Sequence, residues 1–284
     1  MIIKQNFILN NRKRFLSNFG IIYNDSNVKT IQEKLNWLLI HENPDYKAKI
    51  VDKILLHEYS IKILGKDICV PILKIYNNSD EINLNELPDK FVLKCNHGSG
   101  MNILCNNKEK INITYIKRKL DIWMKVNHGL LNNEYQYINI KKRIFAEKYL
   151  CDNINDYKIY CFNEQPKFIR VQKRLPDNLG KINKYYTLDW EISEIETEIS
   201  RSSKKHNIIF EKPKYLNLML DYAKKLSEGF VFVRVDFYEL DNEIYLGEMT
   251  FTPSNTIFNC KDTSQDLYLG SLLNLSKIKH YSNN

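Results

Sequence analysis

The chain has little that would staple it, anchor it or string it out. Its six cysteines (Cys69, Cys95, Cys105, Cys151, Cys161 and Cys260) form no CxxC pair, so neither a zinc site nor a disulfide framework is expected. Reduced thiols suit a cytoplasmic protein, and the N-terminus, MIIKQNFILNNRKRF, lacks the apolar core and small-residue cleavage site of a signal peptide. No run approaches the ~20 apolar residues that span a bilayer. Pro-rich or Ser-rich linkers, internal repeats and charge blocks are also missing, so domain boundaries have to come from element order. Alanine occurs three times (Ala48, Ala146, Ala223) beside abundant Asn, Ile and Lys, a bias that matches AT-rich coding.

What is present describes an ordinary globular chain. Of 284 residues, 43% are hydrophobic and 27% charged, enough for a sizeable core in one large α/β domain or two smaller ones. The balance of 42 Lys+Arg against 34 Asp+Glu leaves +8. That surplus is either a solvated surface or a face for an anionic partner. Nucleic acid is a poor candidate, because no basic stripe with interleaved aromatics and no zinc-finger or RRM-like signature occurs.

Punctuation along the chain gives the elements. Thr30-Ile-Gln-Glu33 is a capping box opening an amphipathic helix through Leu35, Leu38 and Leu39. A second helix is predicted over 51–64, stopped by Gly65, and a strand over 68–75. Residues 91–94 form a short strand running into Cys95-Asn-His-Gly-Ser-Gly-Met101. Thr114 is predicted to cap a helix through Ile116, Leu120 and Trp123 that ends near Gly129. Strands follow at 144–149, 156–162 and 167–172. Pro213 at the first helical position opens a helix closed by Gly229. A hairpin then joins strands 230–237 and 243–248. No regular βαβ alternation emerges, so the expected class is α+β, built of packed lobes.

Three features carry chemistry. Lys94 ends a strand, and Asn96-His-Gly-Ser-Gly100 follows at once, so backbone N–H groups, the Ser99 hydroxyl and a lysine can cradle an anion. The pattern is neither GxxxxGK[ST] nor GxGxxG. Asp236 and Glu248 interrupt two apolar runs of the hairpin, VFVRVDF and IYLGEMTF. Twelve apart, they are placed to lie side by side, where two carboxylates repel unless a cation holds them. Hard oxygen ligands of this kind suit Mg²⁺. Finally, IFAEKYL (144–150) is an apolar strand leading into a hinge, and Asp156-Tyr-Lys158 follows on a central strand. Arg170, Lys173 and Arg174 lie beyond these elements, decorating the surface or meeting an acidic acceptor.

These motifs together resemble the ATP-grasp superfamily, and within it the TupA-like ATP-grasp family of bacterial surface-polysaccharide loci. The carrying segments are VDK (51–53), FVLKCNHGSGMN (91–102), EYQYINIKKRIFAEKYL (134–150), DYKIYCFN (156–163), YYTLDWE (185–191) and VRVDFYELDNEIYLGEMTFTP (233–253), six in the family's order. The resemblance implies an ATP-grasp fold of two α+β lobes clasping a nucleotide. Residues 1–50 would be a mostly helical cap or acceptor-side region, 51–150 the first lobe with its glycine flap, and 151–284 the second lobe with the metal-binding hairpin.

The same resemblance assigns roles position by position. Lys53 and Lys94 match lysines that contact nucleotide phosphates. Asn96, His97, Gly98, Ser99 and Gly100 match a flap over the β- and γ-phosphates, and Glu147, Lys148 and Leu150 match the adenine hinge. Asp236 and Glu248 match magnesium ligands, and Arg234 an arginine stabilising the transferred phosphoryl group. Lys158 would be a further phosphate or acyl-phosphate contact, and His97 an acid, base or phosphate contact or else a solvent-exposed turn residue. Two positions depart from the pattern. Thr250 stands where many relatives have an Asn ligand, which Asn255 would have to replace, and Glu164 stands where relatives commonly have Gly.

The implied cofactors are ATP and Mg²⁺. The implied reaction is ATP-dependent ligation of a carboxylate to an amine through an acyl phosphate, on an acidic saccharide or amino-acid acceptor. A sugar kinase or other phosphotransferase of the same pathway is the alternative. A glycosyltransferase finds no DxD motif. The oligomeric state is not legible.

Overall fold

Alternating side chains build two antiparallel sheets, and the break of one expected helix sets a lysine between them. The computed structural model describes residues 2–175, 180–198, 200 and 208–278. The N-terminal quarter is helical: α1 (Ile2–Phe19), α2 (Ile31–His41), α3 (Pro44–Val51) and α4 (Leu56–Leu64). Helix α2 starts on the expected capping box, with Thr30 and Glu33 satisfying each other's backbone N–H groups. The helix predicted over 51–64 begins only at Leu56, as α4, and Val51 is instead the last residue of α3. Asp52 ends α3, and its carboxylate accepts the Ile54 N–H at 2.9 Å, a local bond that competes with the helical ladder. Gly65, at φ 74°, closes α4 as predicted.

Strands β1 (Ile72–Tyr76), β2 (Phe91–Cys95), β3 (Asn102–Cys105) and β4 (Ile144–Lys148) form one sheet in the order β1-β4-β2-β3. Helix α5 (Ile113–Lys125) covers it, burying Ile116 and Leu120 against Tyr76, Phe91, Leu93 and Ile144. Its cap is Asn112, which accepts the Tyr115 N–H, and not Thr114. The short helix α6 (His128–Asn132) follows, with Gly129 inside it.

The second sheet, in the order β7-β6-β5-β8-β9, contains β5 (Asp156–Phe162), β6 (Gln165–Arg174), β7 (Lys181–Tyr186), β8 (Phe232–Leu240) and β9 (Glu243–Thr250). Helix α7 (Leu216–Leu226) lays Leu216, Met219, Ala223 and Leu226 on one face of it. Pro213 sits in the turn before α7, where its carbonyl accepts the Leu216 N–H, and not at the first helical position. Helix α8 (Thr263–Ser271) packs against α2. Ile50, Val51, Leu56, Ile68 and Cys69 join the core beneath this sheet, with Ile159, Val171 and Val235. Burying each such side chain contributes ~1.5–3 kcal/mol.

Along β5 the period of two sends Tyr157, Ile159 and Cys161 into that core and leaves Lys158, Tyr160 and Phe162 on the opposite face. The turn to β6 puts both Asn163 (φ 48°) and Glu164 (φ 67°) in the left-handed region, where Gly is the easier residue. The Glu164 carboxylate compensates by accepting the Gly229 N–H at 3.0 Å. All six cysteines are free thiols. No helix among the described residues is long and apolar enough to cross a membrane.

Candidate active site

A row of polar side chains crosses the five-stranded sheet. The register places Tyr185 beside Arg170, Arg170 beside Lys158, Lys158 beside Asp236, and Asp236 beside Glu248. The two carboxylates are therefore neighbours, as expected, but their separation of twelve needs a correction of register. Asp241 (φ 52°) and Asn242 (φ 64°) form a two-residue turn between Leu240 and Glu243, which makes every regular pair an odd number of residues apart. Gly247 is the extra residue: Phe237 pairs with Leu246, and Asp236 with Glu248. A Cβ on Gly247 would lie 2.7 Å from the Tyr238 ring, so any larger residue there would have to displace that ring.

Arg234 ties the hairpin together. Its Nε donates to Asp236 Oδ1 at 2.6 Å, and one terminal nitrogen donates to Asp236, Glu248 Oε1 (2.7 Å) and the Thr250 hydroxyl (3.0 Å). Lys158 Nζ donates to both Asp236 and Asp156 at 2.5 Å. Burial pushes the Asp236 carboxyl above its ordinary value, more strongly than Arg234 and Lys158 pull it down. Burial pushes Glu248 the same way, but Arg234, Lys53 and Lys158 outweigh it and hold that carboxyl well below the usual range.

The donor set decides whether a metal ion fits. Two carboxylates on adjacent strands with a hydroxyl beside them offer hard oxygens and no soft ligand. Such a set fits magnesium, which is commonly held by one or two carboxylates and substrate phosphates. Thr250, in the position expected for a third ligand, is engaged by Arg234 and itself bonds Glu248. The Asn255 amide nitrogen donates to the Asn132 carbonyl at 2.8 Å, and its Oδ1, the atom that would serve as a ligand, has no hydrogen-bond partner among the described residues.

Two lysines come from the other side of the cleft. Lys53 stands in the break between α3 and α4, donating to the Gly98 carbonyl at 2.7 Å. Burial draws Lys53 below the ordinary lysine value, Lys94 adds to this, and Glu248, Asp52 and Glu147 oppose it. Lys94 on β2 pairs with Glu147 on β4 at 2.5 Å. A cleft of about 850 Å³ opens between the sheets, lined by Lys94, Glu147, Lys148, Leu150, Arg174 and Tyr238 among others. The Lys148 side chain turns aside over the Tyr245 ring.

The glycine loop divides into anchor and tip. Asn96 is buried, donating to Asp52 and to the Lys141 carbonyl and accepting the Arg143 N–H. Holding Asp52 in this way positions the adjacent Lys53. His97 is neither at the carboxylates nor exposed. It is 1% accessible, its Nε2 donates to the Trp123 carbonyl, and burial lowers its pKa. The alternative of a solvent-exposed turn histidine is corrected accordingly. Gly98 packs on the His128 ring, Gly100 (φ 74°) turns the chain, and Ser99 is exposed.

Ser99 lines a second pocket of about 660 Å³ with Arg234, Glu248, Thr250, Ser254 and Asn255. Ser254, Asn255 and Thr256 all have positive φ, three consecutive non-glycine residues in the left-handed region. Arg14 of α1 reaches this loop through Thr256 at 3.1 Å. Behind it, Glu134 accepts from His128 at 3.1 Å and from Thr252. The sequence reading assigned His128, Glu134 and Thr252 no role, because only the fold brings them to one place. Arg170 was noted, but nothing in the sequence showed that it is buried.

A cleft between two sheets, with lysines on one side and paired carboxylates with an arginine on the other, suits a phosphorylated ligand and a hard cation. Comparison with known proteins bears on which family uses it. No curated protein matches the sequence. Among solved structures, D-alanine–D-alanine ligase from Bacillus anthracis is 15% identical, with 74% of this chain and 60% of that one covered and a TM-score of 0.45. N5-carboxyaminoimidazole synthetase from Staphylococcus aureus, complexed with ADP, is 17% identical, with 76% and 48% covered and a TM-score of 0.44. The chain thus spans about half to three-fifths of the length of these two. D-alanyl-alanine synthetase A from Vibrio cholerae is 11% identical, with 85% and 71% covered and a TM-score of 0.47. These likenesses are too slight to carry the assignment. The family profile described as TupA-like ATPgrasp matches residues 33–274, most of the sequence. The chain belongs to the TupA-like ATP-grasp family.

Proposed function

We propose that the protein is an ATP-dependent ligase that activates a carboxylate as an acyl phosphate and passes it to an amine. Its substrate would be a uronic acid or amino-acid-bearing precursor of a bacterial surface polysaccharide, and its place the cytoplasm. The observation that carries this reading is the hairpin bearing Arg234, Asp236 and Glu248, set across a cleft from Lys53 and Lys94.

Lys53 and Lys94 would hold the β- and γ-phosphates, the 147–150 segment would bound the adenine, and Ser99 at the loop tip would close over the phosphates. Asp236 and Glu248 would hold magnesium, which when bound neutralises phosphate charge. Arg234, held by two carboxylates and a hydroxyl, would stabilise the charge that builds on the transferred phosphoryl group. The carboxylate substrate attacks the γ-phosphorus and ADP leaves. The amine then attacks the acyl carbon and phosphate leaves. The polar pocket bounded by Ser99, Thr250 and the 254–256 loop adjoins this point and would hold the acceptor. An acyl phosphate hydrolyses readily, so closing the site from water serves the second step.

Incubation with Mg-ATP, uronic acids and amino acids should give ADP and inorganic phosphate in step with an amide. A phosphorylated sugar with no free phosphate would instead mark a kinase. Asp236→Asn is expected to lower turnover at least a hundredfold while circular dichroism stays native. Unchanged turnover would remove Asp236 from the metal site.

A further inference from the structure

We propose that Arg170, with Lys158, forms an oxyanion subsite that takes the terminal phosphate of the bound nucleotide. The proposal rests on the ATP reading above and deepens it. Arg170 is 5% exposed, and its Nε is shut off from solvent with no hydrogen-bond partner among the described residues. Its other contacts are uncharged: the Tyr185 hydroxyl and the face of Tyr160, 5.9 Å from the ring centroid. Among the described residues no carboxylate pairs with it, whereas Lys158 and Arg234 each hold two. A buried cation without a counter-ion is costly, and the protein tolerates the cost where a ligand supplies the anion.

Position says which anion. Gln172 and Arg174 follow at intervals of two on β6, and both line the cleft with Lys94 and Glu147. Arg170 is the next residue of that face, and it lies in the cross-sheet row that runs through Lys158 to the metal carboxylates. Strands lie ~4.8 Å apart, so Asp236 is about 10 Å away across the sheet with Lys158 between. A phosphate reaching from the cleft towards Asp236 passes between the two cations. The acceptor pocket, by contrast, opens on the β8–β9 side of the row. A planar guanidinium suits two phosphate oxygens better than an ammonium does.

The test compares ADP with the β,γ-imido analogue of ATP, each with magnesium, by calorimetric titration of the wild type, Arg170→Gln and Arg170→Lys. The subsite requires Arg170→Gln to weaken the triphosphate analogue about tenfold or more and ADP less than twofold, with Arg170→Lys in between. Equal losses for both nucleotides would make Arg170 a structural strut between Tyr160 and Tyr185, and no loss would make it irrelevant to nucleotide. Either result overturns the proposal. If Arg170→Gln does not fold, Arg170→Lys alone decides, since it keeps the charge and loses the fork. A wild type that binds neither nucleotide would sink the ATP reading itself. A wild type that binds both, with variants that do so equally well, sinks only the subsite.

Discussion

Gly98 shows how closely single residues are fitted here. A Cβ at that position would stand 2.9 Å from two ring atoms of His128, and the ring cannot swing freely because Glu134 holds its Nε2. Gly98→Ala is therefore expected to cost ~1–3 kcal/mol, as overpacking does. It should also displace the carbonyl that receives Lys53. Thermal melting checks the first effect, and the melting of Gly98→Ala/His128→Ala checks the cause. The double variant should lose less than the sum of its parts, and strict additivity would put the strain elsewhere. The two histidines also mark what sequence can reveal of a site. Asp236 and Glu248 were legible because a charge that interrupts an apolar strand must face something other than the core. His97 shares the loop motif, but a motif does not fix a side chain's direction, and this one points to Trp123. His128 matters because Gly98 needs room beside it, a relation between elements 30 residues apart.

Elements were legible where one local rule settled them. The capping box placed α2, and Gly65 ended α4. The misses came from competition between rules. Asp52 overrode a helical pattern by bonding its own backbone, and in β7, spelled KINKYY, Lys181, Asn183 and Lys184 interrupt the apolar residues on both faces, so no alternation stands out. The junction of α2 with α8 gives a pH-dependent test. Asp266 of α8 accepts the Gln32 N–H at the start of α2, yet burial outweighs this favourable contact and raises its pKa to about 6. The unfolded chain ionises the same group near ~3.9. Below that value both states carry the proton and the fold has its full stability. As pH rises towards and through 6, the folded state ionises the group at a cost the unfolded state does not bear, so stability falls and then levels off. Asp266→Asn does not titrate. Going from pH 4.5 to pH 7.5, its stability relative to the wild type should improve by about 1 kcal/mol, less than the full shift implies because water still reaches the carboxyl. Denaturant titrations at the two pH values measure this, and a constant difference would show that Asp266 is already ionised at the lower pH.

At the scale of the whole molecule, the question is what joins the two sheets. Their cores are separate, one around Phe91, Leu93 and Leu120 and the other around Ile159, Val235 and Met219. Lys53, Lys94, Lys148, Lys158, Arg170, Arg174 and Arg234 surround the cleft with seven positive charges, against the four of Glu147, Asp156, Asp236 and Glu248. On the proposed reading, a triphosphate with its magnesium would add net negative charge to that assembly and contact residues of both sheets, so it should act as a bridge. Present at a hundred times its dissociation constant, a ligand of the folded state alone contributes ~2.7 kcal/mol. For a chain of this size that corresponds to a rise of ~5–10 °C in melting temperature. We expect Mg-ATP to give such a rise in a single transition, and EDTA to remove most of it by leaving Asp236 and Glu248 facing phosphate without a cation. Raising the salt from 50 mM to 500 mM should shrink the effect, because the attraction between cleft and nucleotide is screened once the Debye length falls to a few ångströms. A rise that EDTA leaves intact would mean that the lysines bind phosphate without the hairpin. A scan that resolves into two transitions, only one of them moved by nucleotide, would show that the ligand sits on one sheet and does not join them.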